Sequence, residues 1–207
     1  MRRMTDTPLV FIVEDDSSVR HSLRLLLKTA GFDSQAFASA EDFLAGYKPH
    51  RLSCIVVDVR MPGMSGLELQ RILPEYGIDA PVIVMTGHGD IAMAVDALKA
   101  GAADFIEKPC DEDRLLSGIR EAIAKAEEKA GRVAELSELR RRLALLTERE
   151  REVMDLAAAG HQNKVIGMRL GISDRTVEVH KGRIMQKMEA RTSSELIRMA
   201  LTLEQGS

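Results

Sequence analysis

The sequence predicts a doubly wound α/β domain, a (βα)5 unit built on a parallel sheet, joined by a helical linker to a small all-α domain of four helices. Three observations carry that prediction. In the first 124 residues, short β-branched apolar runs alternate with helix-period patterns. Charge divides along the chain: residues 1–124 hold 13 Lys/Arg against 19 Asp/Glu, whereas residues 125–207 hold 16 against 13. All seven aromatic residues lie in the acidic part. A chain of 207 residues accommodates two such bodies.

Taken in order, Leu9 to Val13, Ser53 to Val57 and Pro81 to Met85 are almost uninterrupted apolar runs, as expected of strands covered on both faces at the centre of a parallel sheet. Val19, Leu23, Leu26 and Ala30 recur at helical spacing and stop at Gly31. A weaker strand fits Gln35 to Ala38, and a helix fits Ser39 to Ala45. Ser65 and Glu68 form a capping box that opens a helix through Leu67 to Leu73. Ile91, Ala94, Val95 and Leu98 mark the next helix, ended by Gly101; Asp104 to Glu107 fits the last strand, and a helix starts near Asp111.

From Arg114 to about Leu146 the chain is rich in Ala, Glu, Lys, Arg and Leu, which predicts a helical linker, either one continuous helix or two pieces broken at Gly131. Leu136, Leu139, Leu143 and Leu146 recur at 3-4-3 spacing. That stripe is either a short coiled-coil seam or a face packed against the protein's own domains. A Thr147/Glu150 capping box opens the next helix, which runs to Gly160. A second helix spans Asn163 to Leu170, Gly171-Ile172-Ser173 turns, a third runs from Asp174 to Glu189, and Thr192 to Glu195 caps the last. The expected boundaries are 8–126 for the α/β domain, 127–143 for the linker and 144–207 for the helical domain.

Composition excludes several classes. With 45% apolar and 29% charged residues the chain is globular rather than disordered. Two cysteines make no disulfide scaffold, and no Cys/His cluster has zinc spacing. No apolar run approaches the roughly 18–20 residues of a membrane span, so a cytoplasmic protein, neither secreted nor membrane-inserted, is expected.

In doubly wound sheets ligands bind beyond the carboxyl ends of the strands. Here Glu14, Asp15 and Asp16 follow the first strand, Asp58 the third, Thr86 the fourth and Lys108 the fifth. Clustered carboxylates suit a hard divalent cation. A phosphoryl group arriving there would meet the metal, the Thr86 hydroxyl and the Lys108 ammonium, and an aspartate can act as nucleophile. Each residue alone has a bland reading as a cap, a strand end or a solvated charge. All of them at one sheet edge is a much more specific signal.

At this point the sequence resembles the receiver domains of two-component response regulators. The matching stretches are Val13-Glu14-Asp15-Asp16 with Arg20, Asp58 to Gly66, Met85-Thr86-Gly87-His88-Gly89-Asp90, and Gly101 to Pro109. The resemblance implies a flavodoxin-like fold, Asp58 as phosphoacceptor, Asp15 as a direct ligand of Mg²⁺ (or Mn²⁺), and Glu14 as a second acidic ligand acting through water. It assigns the backbone carbonyl of Arg60 to the same metal, Thr86 and Lys108 to the phosphoryl oxygens, and Phe105 as a switch aromatic. The family usually has Asp where Glu14 stands. Asp16 reads as a helix cap, His21 and His88 as surface residues, and Cys110 as a packing residue.

In the basic part, a helix, a Gly-containing turn and a longer helix form a helix-turn-helix pattern. On the wheel of the longer helix, Val177, Ile184 and Met188 share the core face. The opposite face carries Arg175, Glu178, Val179, Gly182, Arg183 and Gln186, flanked by Lys181 and Lys187. An exposed Val among polar residues suits a DNA groove, where it can meet a thymine methyl. Thr176 and Lys164 complete the candidate DNA contacts, Lys164 as a phosphate contact or a solvated cap, and His180 reads as packed. Residues 161–198 hold eight Lys/Arg against four Asp/Glu, which suits salt-sensitive binding by a dimer. Without aromatics there is no stacking platform for RNA or single strands, so duplex DNA is expected.

This part resembles the LuxR-type output domain of the NarL/FixJ subfamily, through Leu146 to Val153, Asn163 to Gly167, Ile172 to His180 and Ile184 to Met188. With Met85 to Asp90, the whole resembles FixJ-like regulators. The implied partners are a sensor histidine kinase, double-stranded DNA, a second copy upon phosphorylation, and RNA polymerase. The implied function is a phosphorylation-switched transcription factor, not an enzyme, with at most slow self-dephosphorylation. Rival readings are an aspartyl-phosphate phosphatase, which generally has Asp where Arg60 stands, a flavodoxin-like cofactor enzyme, which lacks its phosphate loop here, and a receiver joined to a protein- or RNA-binding module.

Overall fold

The computed structural model describes residues 7–87 and 91–205. They divide into two compact units, residues 1–128 and 129–207. In the first unit, strands β1 (Leu9–Val13), β2 (Asp33–Phe37), β3 (Ser53–Asp58), β4 (Val82–Thr86) and β5 (Asp104–Glu107) alternate with helices α1 (Ser17–Thr29), α2 (Ala40–Gly46), α3 (Gly66–Ile72), α4 (Ile91–Lys99) and the first part of α5 (Glu112–Leu143), whose last part belongs to the second unit. All neighbouring strands are parallel, in the order β2-β1-β3-β4-β5. The second expected strand begins at Asp33 rather than Gln35, and an unexpected 3-10 turn over Leu73–Tyr76 extends α3.

Alternation along the central strands builds two cores. Val10, Ile12, Cys54, Val56, Ile83 and Met85 face α1 and α5, packing on Leu23, Leu27, Leu115 and Ile119. Phe11, Val13, Ile55, Val57, Val82 and Val84 face the other side, with Phe43, Leu69, Leu73 and Ala97. Each fully buried side chain of this size contributes about 1.5–3 kcal/mol relative to exposure. Asp16 caps α1 by accepting from the amides of Ser18 and Val19, and Ser65 and Glu68 close the capping box of α3.

Of the two linker forms the sequence allowed, the structure has the continuous one. Helix α5 runs unbroken through Gly131 to Leu143. One interior glycine costs only about 1 kcal/mol relative to alanine, and the surrounding helix formers outweigh it. In the second unit, Leu139 and Leu146 are buried and Leu136 and Leu143 half-buried against the unit's core, so the leucine stripe packs on the protein itself. Helices α6 (Glu148–Ala158), α7 (Asn163–Leu170), α8 (Asp174–Met188) and α9 (Ser193–Gln205) complete this unit. Val153, Ile166, Val177, Ile184 and Met188 are its fully buried centre. No helix among the described residues is long and apolar enough to cross a membrane.

Candidate functional site

The chain leaves β1 toward β2 on one side and returns to β3 on the other, so a crevice opens between the ends of β1 and β3. Val13 pairs with Val57, which sets the following residues, Glu14 and Asp58, at the same level. One carboxylate oxygen from each of Glu14, Asp15 and Asp58 lies within 4.8 Å of the other two; Glu14 and Asp58 are buried and Asp15 is exposed. Lys108, just beyond β5, reaches into the group. Its Nζ lies 2.5 Å from Glu14 Oε2 and 3.2 Å from Asp58 Oδ2.

The electrostatics follow from that packing. Burial pushes the Glu14 carboxyl above its ordinary range; the hydrogen bond and charge of Lys108 pull it back, and Asp58 pushes it up again. Burial works against the Lys108 ammonium, but the hydrogen bond and charge of Glu14, followed by those of Asp58, outweigh it and raise its pKa. Both partners move the same way because burial wins at Glu14 while two carboxylates win at Lys108.

Thr86 closes β4, wholly buried, and its carbonyl accepts from the Lys108 amide at 2.6 Å. Phe105 is half-buried on β5 opposite Val84, against the core beneath. Arg60 lies two residues past the end of β3, with an exposed side chain. His21 is exposed, His88 lies outside the described residues, and Cys110 is half-buried against the core with its thiol pushed up chiefly by burial.

In the second unit Ser173 caps α8, and Thr176 is tied to it through both its amide and its hydroxyl. Arg175, Glu178, Val179, Gly182, Arg183 and Gln186 are all exposed, Val179 to 48%. Lys164 on α7 is exposed as well, whereas Lys181 is half-buried with its Nζ donating to Asn163 Oδ1 at 3.0 Å. His180 is half-buried, and its Nδ1 is enclosed without a hydrogen-bond partner.

Comparison with known proteins accounts for both units. The response regulator receiver domain matches residues 10–120, and the luxR family of bacterial regulatory proteins matches residues 144–200. The chain belongs to the response-regulator family. It is 44% identical to the transcriptional regulatory protein FixJ of Azorhizobium caulinodans, covering 96% of this chain and 94% of that protein. With FixJ of Rhizobium meliloti it shares 46% identity, covering 96% and 97%. Among solved structures, the response regulator StyR superposes with a TM-score of 0.80 at 41% identity, covering 94% of this chain and 98% of that one. Full-length FixJ from B. japonicum superposes with a TM-score of 0.60 at 41% identity, covering 96% and 98%. This response regulator, a FixJ-like receiver with a LuxR-type DNA-binding domain, is a transcriptional regulator controlled by phosphorylation.

Several residues that hold the regulator's two sites carried no role in the sequence reading. Arg20 Nη1 donates to the Glu14 carbonyl at 2.6 Å and pins the loop that bears the acids. A Cβ on Gly66 would stand 2.2 Å from the Asp58 carbonyl oxygen, so α3 can start this close to β3 only through glycine. Gly167 plays the same part in the helix-turn-helix, where a Cβ would meet the Ile172 carbonyl at 2.6 Å. Lys187 reaches the capping-box residue Glu150 at 2.7 Å rather than standing free beside the groove face. A glycine in the first turn of a capped helix was a usable signal for Gly66; the pairing of Lys187, 37 residues away from Glu150, had none.

Proposed function

We propose that Asp58 is the phosphoacceptor and that its phosphorylation switches DNA binding by the helical unit. The observation that carries this reading is the convergence of Glu14, Asp15 and Asp58 within 4.8 Å beside a lysine ammonium 3.2 Å from Asp58. An Asp58 carboxylate oxygen attacks the phosphorus of a phosphohistidine on the sensor kinase; the P–N bond breaks, and the imidazole leaves with a proton from solvent. Lys108 meets the incoming negative charge, and the Thr86 hydroxyl donates to a phosphoryl oxygen.

Three converging carboxylates are the hard donors that Mg²⁺ or Mn²⁺ takes. Asp15 and Asp58 would hold the ion directly, Glu14 through water, and the Arg60 carbonyl would complete the set. Bound there, the ion would neutralise phosphoryl charge. Once Asp58 is an acyl phosphate, Thr86 and Lys108 move toward it and Phe105 turns inward, which alters the face made by α4, β5 and α5. Val95 and Leu98, exposed to 41% and 51% on α4, supply apolar surface for a second copy. Phosphorylation thus biases a two-state equilibrium toward a DNA-binding homodimer, with slow self-dephosphorylation resetting it.

The exposed face of α8 supports duplex recognition by Arg175, Glu178, Val179, Arg183 and Gln186, with the half-buried Thr176 and Lys181 at its edge and Lys164 on the phosphates. The domain limits we assign are 8–126, 127–143 and 144–207. Contact with RNA polymerase at the promoter and a cytoplasmic location follow from this role. The test is intact-mass measurement after acetyl phosphate and Mg²⁺: the wild-type chain gains one phosphoryl group, and Asp58→Asn gains none. A phosphorylated Asp58→Asn protein would overturn the assignment.

A further inference from the structure

The last turn of α5 carries Arg142, whose side chain is only 19% exposed. Each of its three guanidinium nitrogens has a partner. Nε donates to Glu138 Oε1 at 2.8 Å, Nη1 donates to the Met188 carbonyl at 3.1 Å, and Nη2 pairs with Glu189 Oε2 at 2.8 Å. Glu138 is held in turn by a two-pronged contact from Arg141, at 2.8 and 2.7 Å. Met188 and Glu189 are the last residue and the C-cap of α8.

The end of a helix leaves its last carbonyls without intrahelical donors and carries partial negative charge. A fixed guanidinium meets both needs at once. Glu189 adds a second observation. Its φ is +57°, the one positive value among the described non-glycine residues. Glycine takes that conformation freely and a residue with a side chain rarely does. The glutamate that stands there spends its carboxylate on Arg142.

The apolar face of Val177, Ile184 and Met188 sets how α8 is rolled about its axis. At the end of the helix, beside the buried Met188, Arg142 from α5 and Lys187, which is bound to Glu150 on α6, add polar ties to that packing. We propose that Arg142 is a positioning residue for DNA recognition: by clamping the C-terminal end of α8 it fixes how the exposed face of that helix meets the base edges. The proposal rests on the reading of α8 as the helix that enters the groove.

The test uses the full-length phosphorylated chain and a duplex selected from a random pool by the wild-type protein. Affinities for that duplex and for an unrelated one are measured for Arg142→Ala, Glu189→Gly, the double variant and Arg183→Ala. Arg142→Ala is expected to lose about tenfold in affinity for the selected duplex, comparable to one good base contact, with little change on the unrelated duplex. In the Glu189→Gly background the same substitution should cost less, because part of the clamp is already gone. A role confined to folding would lower melting temperature and both affinities together. That parallel loss, or wild-type discrimination in Arg142→Ala beside a weakened Arg183→Ala, overturns the clamp. Discrimination intact in both variants overturns the reading of α8, and the clamp with it.

Discussion

Replacing Gly66 by alanine should disable phosphorylation without touching any charged group. The added Cβ would lie 2.2 Å from the Asp58 carbonyl oxygen and 2.9 Å from both the Asp58 carbonyl carbon and Val57 Cγ2. Ordinary C···O contacts are about 3.3 Å or longer, so α3 and the end of β3 must separate by about 1 Å. All three atoms belong to β3 and none is the tip of a flexible chain, so the strand end that carries the phosphoacceptor has to move. Overpacking of this kind costs about 1–3 kcal/mol of stability, and a 1 Å misplacement of a reacting group costs about 100-fold in rate. The assay is the rate of phosphorylation by acetyl phosphate with Mg²⁺, read by intact mass, alongside thermal unfolding. Gly131→Ala is the control, since nothing lies within 4 Å of a Cβ there and the site is mid-helix. It should react at the wild-type rate and gain up to about 1 kcal/mol. A Gly66→Ala chain that reacts within twofold of wild type and melts at the same temperature would refute the claim that this contact positions Asp58.

Further outcomes follow from the second unit. Gly167→Ala, whose Cβ would meet the Ile172 carbonyl at 2.6 Å, should destabilise the helix-turn-helix by about 1–3 kcal/mol and abolish duplex binding while leaving the phosphorylation rate unchanged. Glu150 is held at about 2 by Lys187 first and the Thr147 amide second, so its folded value lies below the usual 4.5. Its contribution is therefore present above about pH 4.5 and is lost as pH falls toward 2. Glu150→Gln should remove about 1–2 kcal/mol at pH 7, discounted for the part-exposed lysine, and flatten the pH dependence of Thr147 amide protection, taken relative to the intrinsic exchange rate, between pH 5 and 2.

Much of this was legible in the residues, for identifiable reasons. The strands containing Phe11, Val56 and Val84 are buried on both faces, so their apolar runs are continuous and unmistakable. Asp58 closes β3, and Glu14, Asp15 and Lys108 fall just past the ends of β1 and β5, where sheet topology alone brings them together. Capping boxes at Ser65 and Thr147 are local, and both formed. What escaped depends on tertiary approach. Gly131 left a break open, but nothing in the fold requires one there, and its local cost is small. Gly167 looks like any other glycine until a carbonyl from another segment is placed against it, and for Gly66 only its place behind the Ser65 cap hints at the close approach. Lys187 and Arg142 are cations on helix surfaces in sequence; only the fold shows them bound to Glu150 and Glu189.

The measurement that bears most directly on the central claim is the affinity of the full-length chain for its selected duplex, by fluorescence anisotropy, before and after treatment with acetyl phosphate and Mg²⁺. Wild-type protein should bind at least about tenfold more tightly after treatment, a bias of about 1.4 kcal/mol between two states, and Asp58→Asn should not respond. Equal affinity of the wild-type protein in both states, or a full response from Asp58→Asn, would contradict the account.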